Sequence, residues 1–262
     1  MTTYPNVKLN LGLNVLRRRP DGFHDLETLF IPYPGICDEL EIVPAAEFGI
    51  EIVGDMVDWD PRRDLTARAW ELLHEECGIP AVSIRLTKRA PVGAGLGGGS
   101  SDAAFTLRML DSMFGLGLPD ARLAEYAARL GSDCAFFIYN RPMVGEGRGE
   151  VLTPFDIDLS AYDIRVEIPA GVSVSTAEAY RGVLAAREAF YAAGCAPQCS
   201  LREVLALPVD QWNGRLINDF EATIFPLHPE IAALKRKFYD EGAVYAAMSG
   251  SGSSVFGIFK KN

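Results

Sequence analysis

The sequence has little of what binding to nucleic acid or membranes requires. Its 262 residues carry 25 Lys and Arg against 35 Asp and Glu, a net charge of −10, whereas bulk nucleic acid and anionic lipid attract basic surfaces. No stretch approaches 18 uninterrupted apolar residues, so no membrane span is predicted. The first residues lack the basic start and apolar stretch of a secretion signal. We therefore expect a cytoplasmic protein that binds neither nucleic acid nor membranes.

Cysteine and histidine are too scattered to suggest a disulfide framework or a structural metal. The five cysteines contain no Cys-x-x-Cys pair, and no second pair of ligands completes a zinc pattern around Cys195 and Cys199. We predict a reduced protein without a metal site of its own. Cys134 is expected to be a small buried residue, because no histidine accompanies it in a nucleophile motif.

Hydrophobic periodicity predicts an α+β protein. Apolar residues alternate strictly from Val7 to Val15, with Lys8 and Asn10 on the other face, which indicates a half-buried strand with a polar face. The first 54 residues are rich in such strands, and we expect them to pair antiparallel. Segment 194–213 is predicted to be rich in loops. The remaining pattern predicts helices over 64–77, 101–114, 119–131, 175–190 and 228–242, and strands over 82–88, 162–169, 243–248 and 254–259.

One loop carries more glycine than a packed element tolerates. The stretch PVGAGLGGGSSDAA, residues 91–104, holds five glycines in seven positions, although each glycine costs roughly 0.5–1 kcal/mol in an ordered element. Consecutive backbone N–H groups at a helix N-terminus bind anions. We therefore predict a phosphate site in which Ser100 and Ser101 cap the helix and offer hydroxyls to a phosphate oxygen or Mg²⁺. Asp102 is expected to be only a favourable acidic residue of the first helical turn.

Other interpretations of this loop fit less well. Gly93 to Gly98 matches G-x-G-x-x-G, but a dinucleotide fold needs a parallel strand after the helix, and another helix is predicted there. A P-loop needs Lys followed by Ser or Thr after its last glycine, and no lysine stands there. A flexible loop with a serine cap explains the serines but not the five glycines.

The same stretch resembles the second motif of the GHMP kinases. MSGSGSSVFGIF at 248–259 resembles their third motif, and segments 7–30, 129–137 and 145–154 are similar to motifs of one branch of that family. The resemblance covers most of the chain. It implies a two-domain α+β fold with an N-terminal domain like ribosomal protein S5 domain 2 over 1–156 and a C-terminal ferredoxin-like sandwich over 157–262. ATP and substrate are then expected in the cleft between them.

The resemblance also implies a reaction. Such enzymes transfer the γ-phosphoryl group of ATP, with Mg²⁺, to an alcohol of a small molecule, and in this branch the acceptor is the 2-hydroxyl of a cytidine diphosphate derivative of methylerythritol. Another small-molecule GHMP kinase, such as a homoserine kinase, is the alternative. The segment RRPDGFH argues against it, since a substrate without a base needs no aromatic–histidine pair. A nicotinamide-dependent reductase and an S5-like RNA-binding module are rivals of other classes. We expect a monomer or a weak homodimer.

Matching motif positions suggest the site residues. The resemblance places the proton acceptor on Asp133 and a neighbouring cation on Lys8, with Phe23 stacked on cytosine and His24 hydrogen-bonded to its ring. The family usually has Tyr where this chain has Phe23. The nucleotide would be held by Pro91, Gly93, Gly95, Leu96, Gly97, Gly98, Gly99, Ser100 and Ser101. The substrate would be bound by Asn10, Phe23, His24, Asp133, Thr176, Gly250 and Ser251.

Simpler roles stay open for several of these residues. Asp133 precedes a possible helix and Thr176 lies at the start of the helix predicted over 175–190, so each would also serve as an N-cap. Lys8 alone would be a solvated strand lysine, and His24 alone an exposed loop histidine. Ser249 to Ser253 would form a simple hairpin turn.

Overall fold

The structure is a computed structural model that describes residues 1–54, 59–190, 192 and 200–261. Cys195 and Cys199 and part of the loop-rich segment lie outside the described residues. The strands are β1 (Thr2–Thr3), β2 (Asn6–Arg18), β3 (His24–Cys37), β4 (Glu39–Pro44), β5 (Gly49–Val53), β6 (Val82–Thr87), β7 (Met143–Gly147), β8 (Val151–Pro154), β9 (Tyr162–Glu167), β10 (Tyr245–Met248) and β11 (Val255–Lys260). The helices are α1 (Leu65–Cys77), α2 (Gly98–Phe114), α3 (Asp120–Leu130), α4 (Cys134–Tyr139), α5 (Thr176–Tyr180), α6 (Val183–Phe190), α7 (Leu201–Leu205), α8 (Glu221–Leu227) and α9 (Pro229–Asp240).

Contacts divide the chain into two compact units that do not follow chain order. Unit 1 comprises Met1–Lys8, Pro32–Val92 and Gly97–Arg141, and unit 2 comprises Leu9–Ile31, Gly93–Leu96 and Pro142–Asn262. The predicted domain boundary near residue 156 stays a prediction.

Unit 1 contains a four-stranded sheet in the order β1-β4-β6-β5 and the helices α1 to α4. β4 is antiparallel to both neighbours, but β5 runs parallel to β6, with Gly49 opposite Ser83 and Val53 opposite Thr87. The prediction that all opening strands pair antiparallel is therefore wrong for β5. The connection from β5 to β6 contains α1, and a crossover of this kind returns the chain in the same direction. α1 packs on α2, and α3 packs on α4.

Unit 2 contains two sheets. One has the order β2-β3-β7-β8, with Leu26 opposite Gly147 and Phe30 opposite Met143. The other has the antiparallel order β10-β11-β9 and encloses an apolar core with α8 and α9. The predicted helix over 175–190 is divided into α5 and α6, because Gly182 adopts a left-handed φ of 75° that ends the first helix.

Strand β2 is buried on both faces from Asn6 to Leu13, whereas its last three residues are exposed. The alternating apolar residues from Val7 to Val15 are buried as predicted, but Lys8 and Asn10 on the other face are also only 3% and 2% exposed. The prediction that this strand is only half-buried is therefore wrong, and so is the alternative of a solvated Lys8. Polar groups are tolerated in such a position when they have partners, and these partners define the candidate site.

Among the described residues, no helix combines the length and apolar character that a bilayer crossing requires.

Candidate active site

Lys8 and Asp133 form an ion pair inside unit 1. The Lys8 Nζ lies 3.7 Å from Asp133 Oδ2, and the lysine side chain is 4% exposed while the carboxylate is 30% exposed. Burial lowers the pKa of the Lys8 ammonium below its ordinary value, while the Asp133 charge acts to raise it. The pair thus places a buried cation beside a carboxylate that solvent or a ligand reaches.

The position of Asp133 argues against a purely structural role. It directly precedes α4, yet its carboxylate makes no capping hydrogen bond to that helix, all of whose residues are described. Its backbone already has right-handed helical angles, φ −85° and ψ −11°, whereas a capping residue is normally extended. The side chain instead faces Lys8, as the family resemblance implies.

The glycine loop leads into a helix that begins earlier than predicted. α2 starts at Gly98, after a glycine cap at Gly97 with φ 72°, and the Ser101 N–H makes a helical bond to the Gly97 carbonyl at 2.9 Å. The prediction that Ser100 and Ser101 cap this helix is therefore wrong, since both lie within its first turn. The preceding N–H groups, up to that of Ser100, have no partner inside the helix. They form the N–H-rich end that binds anions.

Steric contacts around the loop distinguish packed glycines from an open one. A Cβ added at Gly97 would lie 3.3 Å from Lys8 Cε, and one added at Gly98 would lie 3.4 Å from Lys88 Nζ. A Cβ added at Gly99 would meet no described residue within 4 Å outside its own helix. Gly97 therefore holds the start of α2 against the Lys8 side chain. The exposed backbone of Gly99 leaves room for a phosphate group.

The two serines behave differently. The Ser101 side chain is fully buried, and its hydroxyl donates to the Asn6 carbonyl at 2.6 Å. Ser100 is half-buried and contacts the Cys134 thiol, whose pKa burial raises to about 12. Cys134 is thus the buried, unreactive residue that we expected. Of these two serines, Ser100 is the one whose hydroxyl lies near the open helix start, and a nucleotide-binding role for Ser101 stays a prediction.

In unit 2, residues from all three motifs meet. The Asn10 amide donates to Thr28 Oγ1 at 3.0 Å, and the Asn10 N–H donates to Ser249 Oγ at 3.3 Å. The same Ser249 hydroxyl donates to the Gly95 carbonyl at 3.3 Å. This network explains how Asn10 is buried without loss of hydrogen bonding. It also leaves Asn10 tied to the fold, while its predicted contact with substrate stays a prediction.

The turn after β10 supports the glycine loop through backbone contacts. The Ser254 N–H donates to the Ala94 carbonyl at 3.2 Å. The Asn218 amide donates to the carbonyls of Met248 and Gly250 at 2.7 and 2.9 Å. The turn is therefore more than a simple hairpin, because the Ser254 N–H holds residue 94 and the Ser249 hydroxyl holds residue 95. Within it, Gly250 is buried and Ser251 is half-buried.

A cluster of aromatic residues surrounds the predicted base site in unit 2. The rings of His24 and Tyr180 are stacked with centroids 4.7 Å apart. Burial lowers the pKa of the His24 imidazole, and the charge of Arg18 acts in the same direction. Phe23 is 55% exposed, and the Arg148 guanidinium carbon lies 5.0 Å from the centre of its ring. His24 is therefore held neutral and oriented, and Phe23 keeps a free aromatic face.

Thr176 is the first residue of α5 and is exposed. The helix is capped by Ser175, whose hydroxyl accepts the Glu178 N–H at 3.1 Å. The capping alternative for Thr176 is therefore wrong, and its predicted role near the substrate stays open.

Sequence reasoning missed the most buried ionic group of unit 1. Lys88 Nζ donates to Asp38 Oδ2 and, at 2.6 Å, to Asp102 Oδ2, and all three side chains are at most 6% exposed. The expectation that Asp102 is only a favourable acid of the first turn is therefore wrong. Lys88 follows β6 directly, so the weak signal available was a lysine at the end of a strand just before the loop. Asp38 and Tyr180 carry no comparable signal.

Among the described residues, no group of three or more His, Cys, Asp or Glu side chains lies close enough to hold a metal ion.

Comparison with known proteins identifies the class. Residues 64–141 match the GHMP kinases N terminal domain, and residues 204–262 match the GHMP kinases C terminal domain. The chain belongs to the GHMP kinase family. It is 44% identical over 261 residues to the 4-diphosphocytidyl-2-C-methyl-D-erythritol kinase of Azobacteroides pseudotrichonymphae, which covers all of this chain and 94% of that protein.

Solved structures agree with the family. A crystal structure of 4-(cytidine 5'-diphospho)-2C-methyl-D-erythritol kinase superimposes with a TM-score of 0.76 at 33% identity, over 98% of this chain and 90% of that one. A homoserine kinase from Cytophaga hutchinsonii reaches a TM-score of 0.72 at 18% identity, over 98% of this chain and 85% of that one, a likeness that shows the fold alone. The predicted two-domain α+β GHMP kinase fold is confirmed.

Proposed function

We propose that this kinase transfers the γ-phosphoryl group of ATP to the 2-hydroxyl of 4-diphosphocytidyl-2-C-methyl-D-erythritol. The observation that carries the proposal is the Lys8–Asp133 pair, 3.7 Å apart, with Gly97 packed on the same lysine at the start of α2. Full-length relatives at 44% identity bear the name of this activity. The predicted cytoplasmic location and weak or absent self-association are not needed for the proposal and stay predictions.

Asp133 accepts the proton of the attacking hydroxyl. The substrate oxygen forms a bond to the γ-phosphorus while the bond from that phosphorus to the β,γ-bridging oxygen breaks, and ADP departs with the electron pair. A base in this position contributes about 10²–10⁴-fold to the rate. The Lys8 ammonium lies beside the carboxylate and offsets negative charge on the transferred group, where electrostatic stabilisation dominates phosphoryl transfer.

The start of α2 binds the phosphates of the nucleotide. Its N–H groups up to that of Ser100 point out of the helix, and Gly99 leaves space above them. Mg²⁺, which neutralises phosphate charge when bound, takes few protein ligands and several phosphate and water oxygens. The residues present fit such an ion, and the half-buried Ser100 hydroxyl is the protein oxygen offered at this helix start.

The aromatic cluster binds the cytosine end. The exposed ring of Phe23 stacks on the base, and His24, stacked on Tyr180, offers a ring nitrogen to its edge. Because the imidazole pKa is lowered, His24 is neutral at pH 7, with one donor and one acceptor nitrogen. Thr176 and the turn residues Gly250 and Ser251 complete the proposed substrate contacts.

A coupled ADP-release assay tests this function. The cytidyl substrate, homoserine and mevalonate are compared under identical conditions, and we expect turnover of the cytidyl substrate alone. Asp133→Asn should reduce kcat by 10²-fold or more with little change in ADP affinity. Asp120→Asn, which removes an exposed carboxylate of the same unit, is the matched control and should be active. Preference for homoserine, or an active Asp133→Asn enzyme, would refute the proposal.

A further inference from the structure

The buried ionic cluster of Asp38, Lys88 and Asp102 lies at both ends of the glycine loop. Lys88 is the residue after β6, where the loop begins, and Asp102 lies in α2, where the loop ends. Asp38 lies between β3 and β4. The side chains of Asp38 and Asp102 are each 1% exposed, and that of Lys88 is 6% exposed. None of the three belongs to the site residues suggested by the family resemblance.

Asp38 fixes the residues that lead into the glycine loop. Its Oδ1 accepts the N–H groups of Arg89 and Ala90 at 2.5 and 2.7 Å, while its Oδ2 accepts a hydrogen bond from the Lys88 ammonium. One carboxylate therefore fixes three consecutive residues. Charge-assisted hydrogen bonds of this kind are shorter and stronger than neutral ones.

Lys88 links the residues before the glycine loop to α2, the helix that follows it. Its ammonium donates to Asp102 Oδ2 at 2.6 Å, and a Cβ added at Gly98, the first residue of α2, would lie 3.4 Å from the same nitrogen. The cluster contains two carboxylates and one ammonium, and the partial positive charge of the helix N-terminus favours the extra negative charge. Burial raises the pKa of the Asp102 carboxyl well above its ordinary value, against the Lys88 charge that lowers it, while Asp38 and Asp64 raise it further.

We propose that Asp38, Lys88 and Asp102 are positioning residues for the nucleotide, acting as a clamp that holds the phosphate-binding end of α2 at a set distance from the end of β6. The inference rests on the proposed function, in that the start of α2 binds the ATP phosphates. The clamp contacts neither substrate, and it acts through the backbone of residues 88–90 and 98–102. Its loss should therefore weaken ATP binding without changing the handling of the cytidyl substrate.

Two substitutions break the clamp: Asp38→Asn does so with almost no change in side-chain volume, and Asp102→Ala does so by removing the carboxylate. Asp38→Asn keeps one oxygen for the loop N–H groups but turns an amide N–H₂ toward Lys88. Asp102→Ala removes the link to α2, whereas Asp102→Asn keeps an oxygen that accepts from Lys88. We expect Asp38→Asn and Asp102→Ala to raise the KM for ATP about tenfold or more. Asp102→Asn should restore a KM within about twofold of the unmodified enzyme. In each variant kcat and the KM for the cytidyl substrate should change less than about twofold.

Glu39→Gln is the matched control. It removes a neighbouring carboxylate that pairs with Arg89 at the surface, and it should leave both KM values unchanged. Thermal unfolding of every variant is measured in parallel, and Asp38→Asn carries the test if Asp102→Ala does not fold.

The outcomes separate this inference from the function on which it rests. If the unmodified enzyme neither turns over the cytidyl substrate nor binds ADP, the proposed function fails. If the unmodified enzyme turns over the cytidyl substrate, either of two results refutes the clamp. In the first, Asp38→Asn and Asp102→Ala keep the KM for ATP unchanged. In the second, the KM values for ATP and for the cytidyl substrate rise together with a loss of thermal stability. A rise in the KM for ATP alone in these two variants, absent from Asp102→Asn, supports the clamp.

Discussion

Gly99→Ala distinguishes a glycine needed for a ligand from a glycine needed for the fold. Gly99 is the second residue of α2, and a Cβ added there would meet nothing within 4 Å outside its own helix in the part of the chain that the structure describes. Its φ is not in the left-handed region. Neither the backbone angles nor any described neighbour therefore opposes an alanine at this position.

The structure sets the expected magnitudes. Alanine is favoured over glycine by about 0.8–1 kcal/mol inside a helix, and we assign about half of that to a position in the first turn. For a chain of this size, about 0.5 kcal/mol corresponds to a rise in Tm of about 1–2 °C. A phosphate that approaches the Gly99 backbone would collide with the added methyl group. Loss of one charge-assisted hydrogen bond, about 1.5–3 kcal/mol, corresponds to about a 10–100-fold weaker affinity for ATP.

Calorimetric titration with a non-hydrolysable ATP analogue measures the affinity, and thermal unfolding without ligand measures the stability. Ser112→Ala is the matched control, because it lies exposed in the same helix far from the loop and should not alter nucleotide affinity. A Gly99→Ala protein that is as stable as expected and binds the analogue normally would refute phosphate binding at this helix start.

Three further predictions concern the loop, the ion pair and the base site. Gly95→Ala should lower the free energy of unfolding in urea by roughly 2–5 kcal/mol, because φ is 76° and the new Cβ would overlap the Ser249 carbonyl oxygen. Gly93→Ala, with φ 71° but no described residue near the new Cβ, should lower it by only about 1–2 kcal/mol. Equal losses in the two variants would contradict this packing. Since burial lowers the Lys8 pKa, the protonated lysine is lost as the pH rises through a value below 10.5, and kcat should fall there in a pH–rate profile. Lys8→Arg should lack that fall. An unmodified enzyme whose kcat stays constant up to pH 10.5 would count against a role for the Lys8 ammonium. Tyr180→Ala, which removes the ring stacked on His24, should raise the KM for the cytidyl substrate about 3–10-fold and leave the KM for ATP unchanged, whereas a parallel rise in both would indicate a general loss of structure.

Local patterns were sufficient to predict most elements of the fold. Helix α1 begins after Asp64, which accepts the Thr66 N–H, and ends at Gly78 with φ 68°, and both signals are visible in the sequence. The parallel pairing of β5 with β6 was not predictable in this way, because strand direction depends on how the intervening helix α1 crosses over. The break at Gly182 was also missed, since the apolar stripe of α5 and α6 continues through it.

The proximity of Lys8 and Asp133 could be predicted from the family resemblance, but the surroundings of the pair could not. Lys8 and Asp133 stand 125 positions apart, and only family resemblance brings them together before the structure gives a distance. The alternation of β2 indicates one polar face, but Lys8 on that face is buried, because Gly97 at the start of α2 lies against its side chain. The cluster around Lys88 depends on three side chains from separate elements, and no periodicity records such a meeting.

The left-handed glycines of the loop have a consequence for attempts to re-engineer nucleotide preference. Gly93, Gly95 and Gly97 have φ between 71° and 76°, and Ala94 and Leu96 between them are buried. Saturation libraries over these five codons would consist mostly of misfolded clones. Val92, whose side chain is 44% exposed, and the residues that flank the loop are better positions to randomise.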